Sequence, residues 1–498
     1  MQEFKIYNSL TRQKEVFKPI LEDRIGMYVC GPTVYSDVHL GNCRTFMTFD
    51  IIFRYLQYAG YKVRYVRNIT DVGHLENDLD DEGEDKIAKK ARLEELEPME
   101  IVQRYSKGFH TVMKMLNNLD PSIEPTATGH ILEQIKLIEK IISNGYGYEK
   151  NGSIYFDTIK FAKEYPQYGD LSGRKIDDLF QETRELKSQS EKNHPSDFAL
   201  WMKADEKHIM RWNSPWGIGF PGWHLECSAM STKYLGERFD IHGGGMDLQF
   251  PHHENEIAQN LGSCGCEPAN YWMHGNMLTL NGKKMSKRDG SSILPHELFT
   301  GDNELLSKAY SPMTLRFLCL QTHYRSTLDL SDRALEGAEK AYKKLMEAYE
   351  LLEKIDVNGT EDTEVNSKIV ETIGLCRKQL ADDFNTPMAI ARLFDLSSSI
   401  FSLRDGHIPS DSVKVETLTE IQRLFQNILF DVCGLVNEKD AVDGDSDVVG
   451  GLMNLVINIR KGAREKKDWD TSDQIRDTLK DLSIVVKDGK EETTWSIN

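Results

Sequence analysis

The chain has 498 residues, 39% of them hydrophobic, with 79 Asp and Glu against 61 Lys and Arg and a formal net charge of −18. That length exceeds what one hydrophobic core organises and predicts about three or four domains, while the negative field excludes indiscriminate nucleic-acid binding and confines any RNA contact to local basic patches. The eight cysteines are too sparse for a disulfide framework, the first residues hold no uninterrupted apolar run of the signal-peptide kind, and no segment suits a bilayer, so a reducing cytoplasm and no membrane partner are expected.

From Arg24 to Cys30, Ile25, Met27 and Val29 alternate with the period of a strand, which Gly31-Pro32 ends. From Arg44 to Ala59, Phe46, Phe49, Ile52, Phe53 and Leu56 recur at helical spacing, with Gly60 as the stop. A second apolar-rich run, Lys62 to Ile69, completes a βαβ unit, whose ligands bind at the carboxyl ends of the strands, where Cys30 and His39 fall. Residues 1–120 therefore predict the first half of a Rossmann-type α/β catalytic fold with a parallel sheet. Residues 121–223 lose that rhythm and read as an inserted domain.

The rhythm returns over 224–330, with a strand at Phe239 to His242, the run Gly243-Gly244-Gly245, and a helix with Pro251 near its first turn and Gly262 beyond its end. After Ser331 a stripe of Leu335, Ala338, Tyr342, Leu345, Tyr349 and Leu352 predicts a helical bundle over 331–440. The acidic, Gly-containing run Asn437 to Gly451 reads as a linker, so 441–498 hold that linker and a small C-terminal module.

Cys30, Cys227, His252 and Glu256 are of the types that bind zinc. His252 and Glu256 stand four apart on a predicted helix and share one face, and Cys30 and Cys227 would have to approach them at the sheet's open edge. The same spacing also suits two buried thiols and a capped histidine that simply pack.

The run Tyr28-Val29-Cys30-Gly31-Pro32-Thr33-Val34-Tyr35 with His39-Leu40-Gly41-Asn42 resembles the first signature of class I cysteinyl-tRNA synthetases. Three more segments match in order: His242-Gly243-Gly244-Gly245 through Asp247-Leu248 to Glu256 is similar to the family's zinc-binding segment, Lys284-Met285-Ser286-Lys287 to its second nucleotide signature, and Asp382-Asp383-Phe384-Asn385-Thr386-Pro387 to a landmark of its helical domain. Together they span nearly the whole chain.

The resemblance implies one zinc ion on Cys30, Cys227, His252 and Glu256, with L-cysteine, ATP and tRNA(Cys) as substrates. A metal that holds the deprotonated thiol rejects serine without a separate editing site. Adenylate formation develops charge on phosphate oxygens, and His39, Asn42, Lys284 and Lys287 are the implied donors, with magnesium arriving on ATP. Two positions depart from the commonest pattern: Asn42 replaces a histidine, and Arg288-Asp289 follow Lys287 where serine and leucine are usual. Thr33 and Trp223 are expected to line the cysteine pocket; Trp223 equally suits a core aromatic.

Cys264-Gly265-Cys266 lacks a histidine pair or second cysteine pair to complete four metal ligands and reads as loop thiols, and Cys43, Cys319, Cys376 and Cys433 as packing residues. The acidic run Glu76 to Asp85 reads as a solvated face. Arg460, Lys461, Arg464, Lys466 and Lys467 form a basic island on an amphipathic helix beside the module where the resemblance places anticodon recognition, and Trp469 or Trp495 offers a stacking face; a solvated helix face is the plainer alternative. Two other functions compete: a ligase that passes the adenylate to a small amine, which the long region after Ser331 disfavours, and a noncatalytic RNA-binding paralogue, which would have lost the lysines or a metal ligand. The expected state is a monomer.

Overall fold

The alternation that begins at Arg24 becomes strand β1 (Arg24–Val29), with Ile25, Met27 and Val29 in the core. The structure is a computed structural model and describes residues 3–72, 75–77, 82–174, 192–205, 208–285, 292–439, 453, 455–457, 459–463, 468–481, 484–488 and 493–497. Helix α1 (Leu40–Tyr58) follows β1, and strand β2 (Lys62–Arg67) lies parallel to β1, with Arg24 opposite Lys62 and Val29 opposite Arg67. The helix starts ahead of the expected Arg44 because His39 caps it.

Helix α2 (Leu225–Leu235), strand β3 (Phe239–Gly245), helix α3 (His252–Cys264) and strand β4 (Ala269–Gly275) complete the catalytic fold. The sheet order is β4-β3-β1-β2 and every pair is parallel, so all carboxyl ends share one rim. This is the α/β parallel-sheet class expected from the sequence.

Three local expectations are corrected. Gly243, Gly244 and Gly245 lie inside β3 and are buried; a Cβ on Gly243 would fall 2.2 Å from the Phe49 ring, so glycine there permits close packing of α1 on the sheet. Helix α3 runs through Gly262, where an added Cβ would fall 3.1 Å from the Phe156 ring, and ends at Gly265 in the left-handed region with φ 71°. That turn brings the Cα atoms of Cys264 and Cys266 to 5.5 Å, and the two expected loop thiols are joined as a disulfide. The other cysteines are free and buried.

Between β2 and α2 the chain builds an antiparallel sheet in the order Trp212–Ser214, Gly217–Pro221, Phe198–Lys203, Ser153–Phe156, Gly147–Lys150. Leu137, Ile138 and Ile141 of helix Ile131–Ser143 share a core with Phe156 and Trp201 of that sheet.

Beyond Ser331 come helices Asp332–Leu352, Glu364–Leu380, Thr386–Arg404 and Val415–Phe425. Leu335, Ala338, Tyr342, Leu345 and Leu352 bury the predicted stripe, with Tyr349 at its margin. Asp383, at φ 64°, ties this region to the chain's beginning: its carboxylate accepts from the Tyr7 amide at 2.8 Å, the Tyr324 hydroxyl at 2.7 Å and Arg325 Nε at 2.8 Å. The chain divides into two compact units, Met1–Leu435 and Val436–Asn498. The second contains helix Trp469–Asp481 and an antiparallel pair, Ile484–Asp488 with Thr493–Ile497. Among the described residues no helix is long and apolar enough to cross a membrane.

Candidate active site

Cys30 follows the last residue of β1, where its amide donates to the Gly243 carbonyl of β3 at 3.1 Å. Cys227 sits in the first turn of α2, and His252 and Glu256 one turn apart on α3. All four are buried, and their ligand atoms lie within 4.8 Å of one another. Cys30 Sγ is 3.6 Å from Cys227 Sγ and 3.6 Å from Glu256 Oε1, which is 3.3 Å from His252 Nε2.

Histidines surround this quartet. His242 Nε2 is 2.9 Å from Glu256 Oε2, His224 Nδ1 is 2.9 Å from His252 Nδ1, and His253 Nε2 is 3.3 Å from Cys30 Sγ. His253 continues through His274 at 2.8 Å to the Ser9 hydroxyl at 2.8 Å. Cys30, His242, His253 and Glu256 form a second possible metal set. The two sets differ in access: Cys30, Cys227 and His252 line the cleft, whereas His253 is engaged with His274 and His242 stacks on Trp272 at 4.4 Å.

Burial, and then the crowding of the thiols on each other and on Glu256, raises the Cys30 thiol well above its ordinary pKa. Burial likewise raises Cys227 to about 12, and it lowers His253 well below its usual range and His274 to about 3. Two soft sulfurs, an imidazole and a carboxylate packed this closely fit a zinc ion by donor chemistry, because a cation would offset the charge that burial otherwise suppresses.

The cleft has two lobes. One, of about 290 Å³, is lined by Cys30, Thr33, Trp223, Cys227 and His252; the other, of about 270 Å³, by Gly275, Lys284 and Met285. His39, Asn42, Gly245 and Asp247 line both, so the lobe that holds Cys30, Cys227 and His252 is continuous with the one that holds Lys284. The Trp223 ring lies 4.5 Å from that of His252, placing the tryptophan on the cleft wall and against one of the four candidate metal ligands. His39 and Asn42 cap α1 reciprocally: His39 Nδ1 accepts from the Asn42 amide at 3.2 Å and Asn42 Oδ1 from the His39 amide at 3.4 Å.

Sequence reasoning missed Asn68 and Thr70, just beyond the carboxyl end of β2. Asn68 Oδ1 accepts from the Gly31 amide at 2.8 Å, Thr70 donates to Glu226 Oε1 at 2.5 Å, and both line the cleft. Their position at the strand's end was the available signal; their residue types carried none. Lys287, Arg288 and Asp289 lie outside the described residues, as do the side chains of the acidic run Glu76 to Asp85.

In the second unit Lys461 and Trp469 are exposed, but Arg460 is only 8% exposed. Adjacent helical residues point about 100° apart, so Arg460 turns inward and does not join Lys461 on the expected basic face. Arg464, Lys466, Lys467 and the Trp495 side chain lie outside the described residues.

Residues 16–340 match the family described as tRNA synthetases class I (C) catalytic domain, residues 377–437 a DALR domain, and residues 453–495 a cysteinyl-tRNA ligase anticodon binding domain. The chain is 54% identical to the Cysteine--tRNA ligase of Bacteroides thetaiotaomicron over 99% of both chains. It is 51% identical to that of Porphyromonas gingivalis over 99% of both, and 47% identical to that of Deinococcus radiodurans over 98% of this chain and 96% of the relative. Among solved structures it is similar in fold to Mycobacterium tuberculosis methionyl-tRNA synthetase with methionyl-adenylate (TM-score 0.57, 13% identity, 82% of this chain and 89% of that one). It is also similar to a leucyl-tRNA synthetase complex from Agrobacterium radiobacter (TM-score 0.56, 12% identity, 84% and 85%). Matched from end to end by relatives at about half identity and by the family's own catalytic and anticodon-binding domains, the chain belongs to the cysteine–tRNA ligase family of ATP-dependent class I aminoacyl-tRNA synthetases.

Proposed function

We propose that the chain activates L-cysteine with ATP to cysteinyl-adenylate, releasing pyrophosphate, and transfers the cysteine to the 3′ end of tRNA(Cys), with zinc on Cys30, Cys227, His252 and Glu256 selecting the amino acid. The observation that carries this reading is that Cys30, Cys227 and His252, with Glu256 buried beside them, open onto the same cleft as His39, Asn42 and Lys284. The zinc would supply a positive charge that favours a deprotonated thiol over the neutral hydroxyl of serine.

The remaining chemistry belongs to this chain's own residues. Thr33 and Trp223 shape the lobe that holds the amino acid. Its carboxylate attacks the α-phosphorus of ATP, and negative charge grows on the phosphate oxygens as pyrophosphate leaves. Because His39 Nδ1 accepts a backbone hydrogen bond, the neutral ring carries its proton on Nε2 and can donate it to phosphate. Asn42, with Oδ1 held by the same cap, keeps its amide N–H groups as donors, so it can serve where the commoner pattern has histidine. Lys284 and Lys287 add charge, Arg288 adds more, and magnesium accompanies ATP.

In this reading residues 1–120 and 224–330 are the halves of the catalytic fold, 121–223 the insertion, 331–440 the helical bundle, and 441–498 the linker and anticodon module. Lys461 with Arg464, Lys466 and Lys467 contacts the tRNA. The enzyme acts as a monomer in the cytoplasm, a compartment that keeps buried thiols reduced.

Cysteine-dependent pyrophosphate exchange, followed by charging of purified tRNA(Cys), tests the reading. Both activities are expected. Exchange without charging would favour transfer to a small amine, and neither activity a noncatalytic paralogue.

A further inference from the structure

We propose that the amino ends of the central strands form a second ligand site, apart from the catalytic cleft, that takes a small organic phosphate with an apolar body. A cavity of about 480 Å³ opens there, where Arg24, Lys62 and Phe239 begin β1, β2 and β3. That volume is in the range of small-molecule pockets. The six residues of β1 put it roughly 20 Å from the rim that holds Cys30, at ~3.3 Å per residue.

Four cations line the mouth, Arg24, Lys62, Arg64 and Arg238, in a chain whose net charge is −18. Arg24 and Lys62 share one carboxylate, Asp23, at 3.8 Å each. Arg64 donates to the Tyr234 carbonyl at 3.3 Å and Arg238 to the Asn270 side-chain oxygen at 2.8 Å; among the described residues neither has a carboxylate within ion-pair distance. Asp240, the acid in the wall, is buried, and its two oxygens accept from the Ile20 amide at 2.7 Å and the Gly26 amide at 2.8 Å; counted with Asp23 it leaves four cations facing two carboxylates. The mouth therefore carries excess positive charge, and guanidinium forks favour phosphate oxygens.

The floor is apolar. Ile25, Val63, Leu235 and Phe239 form it, and Ile20 and Leu21 stand on the rim 46% and 59% exposed. A nucleic-acid backbone is met by a basic track along a surface. Here the cations ring a concavity with an apolar base, which fits a phosphate group joined to a ring or alkyl body.

The test uses the full chain with its catalytic cleft filled by a cysteinyl-sulfamoyl adenylate analogue, which carries no phosphate, and 1-naphthyl phosphate as the fluorescent probe. Saturable binding at one site per chain is expected, with inorganic phosphate a much weaker competitor. Arg64→Gln with Arg238→Gln should weaken probe binding by about tenfold or more, because charge-assisted hydrogen bonds are lost. The same pair should leave cysteine-dependent pyrophosphate exchange unchanged. Arg64→Lys with Arg238→Lys should fall between the wild type and the Gln pair, since the charge stays but the fork is lost, and Leu21→Ser should weaken the probe but not inorganic phosphate. Absent saturable binding, or binding indifferent to the Gln pair, would overturn the proposal. So would a Gln pair that lowers tRNA affinity while leaving the probe untouched, since the site would then belong to RNA.

Discussion

Cys30 and Cys227 stand 197 residues apart in the chain and place their sulfur atoms 3.6 Å from each other in the core. Purified protein should contain about one zinc per chain, and Cys227→Ser should lose most of it. Metal analysis beside cysteine-dependent pyrophosphate exchange checks this: chelation should abolish both readouts, and full metal content in the serine variant would remove Cys227 from the ligand set.

Gly31 admits no side chain. A Cβ there would fall 1.5 Å from the Asn68 carbonyl oxygen, so Gly31→Ala must shift the loop that carries Cys30 and Thr33. A stability loss of about 3 kcal/mol and a raised KM for cysteine are expected. Urea unfolding and exchange kinetics measure the two effects, and wild-type values in both would show that the loop yields freely.

Glu124 accepts from Arg67 Nη2 at 2.6 Å and lies 2.6 Å from His110 Nε2. The hydrogen bond to Glu124 raises His110 above its ordinary 6.5; for Glu124, burial works upward but the His110 and Arg67 bonds prevail and hold it below its ordinary 4.5. The His110 contribution to stability is complete below its ordinary pKa and is lost as pH rises through the raised one; the Glu124 contribution is present above its ordinary pKa and is lost as pH falls through the lowered one. The urea midpoint should therefore decline as pH rises past the His110 titration. That decline should be missing in His110→Gln, and its persistence there would assign it to another group.

Asp383→Ala leaves the Tyr7 amide, the Tyr324 hydroxyl and Arg325 without their shared acceptor and puts alanine at a left-handed φ of 64°. A loss of about 3 kcal/mol or more is expected. Asp383→Asn keeps an acceptor oxygen and a residue tolerant of that backbone, so it should lose less. Denaturant unfolding of both variants decides, and equal losses would show that the charge alone matters.

Neutralising Lys461, Lys466 and Lys467 should weaken tRNA binding and flatten its salt dependence while sparing pyrophosphate exchange. Filter binding at several salt concentrations checks it, and equal loss in both assays would defeat the assignment to RNA.

Much of the catalytic fold was legible because its signals are local: the alternation of Ile25, Met27 and Val29 and the helical spacing of Phe46, Phe49 and Leu56 survive into β1 and α1. What was misread depends on partners distant in the chain. Gly243 falls past the expected end of its strand until Phe49 is seen against it, and Gly262 looks like a helix stop until Phe156 is. The start of α1 was hidden because His39 and Asn42 are not the commonest capping pair. Residue types and resemblance named the four residues of the candidate metal site, but the histidines behind them, and Asn68 and Thr70 in the cleft, emerged only once the strands were aligned.

The mutual lock between His39 and Asn42 fixes the first turn of α1 during folding, before any nucleotide arrives. In the proposed reading, ordering that turn is then no longer charged against ATP binding, and the triphosphate would meet a rigid receptor. Weakening either partner should surface as a softer amino terminus in hydrogen exchange as well as a poorer grip on the nucleotide.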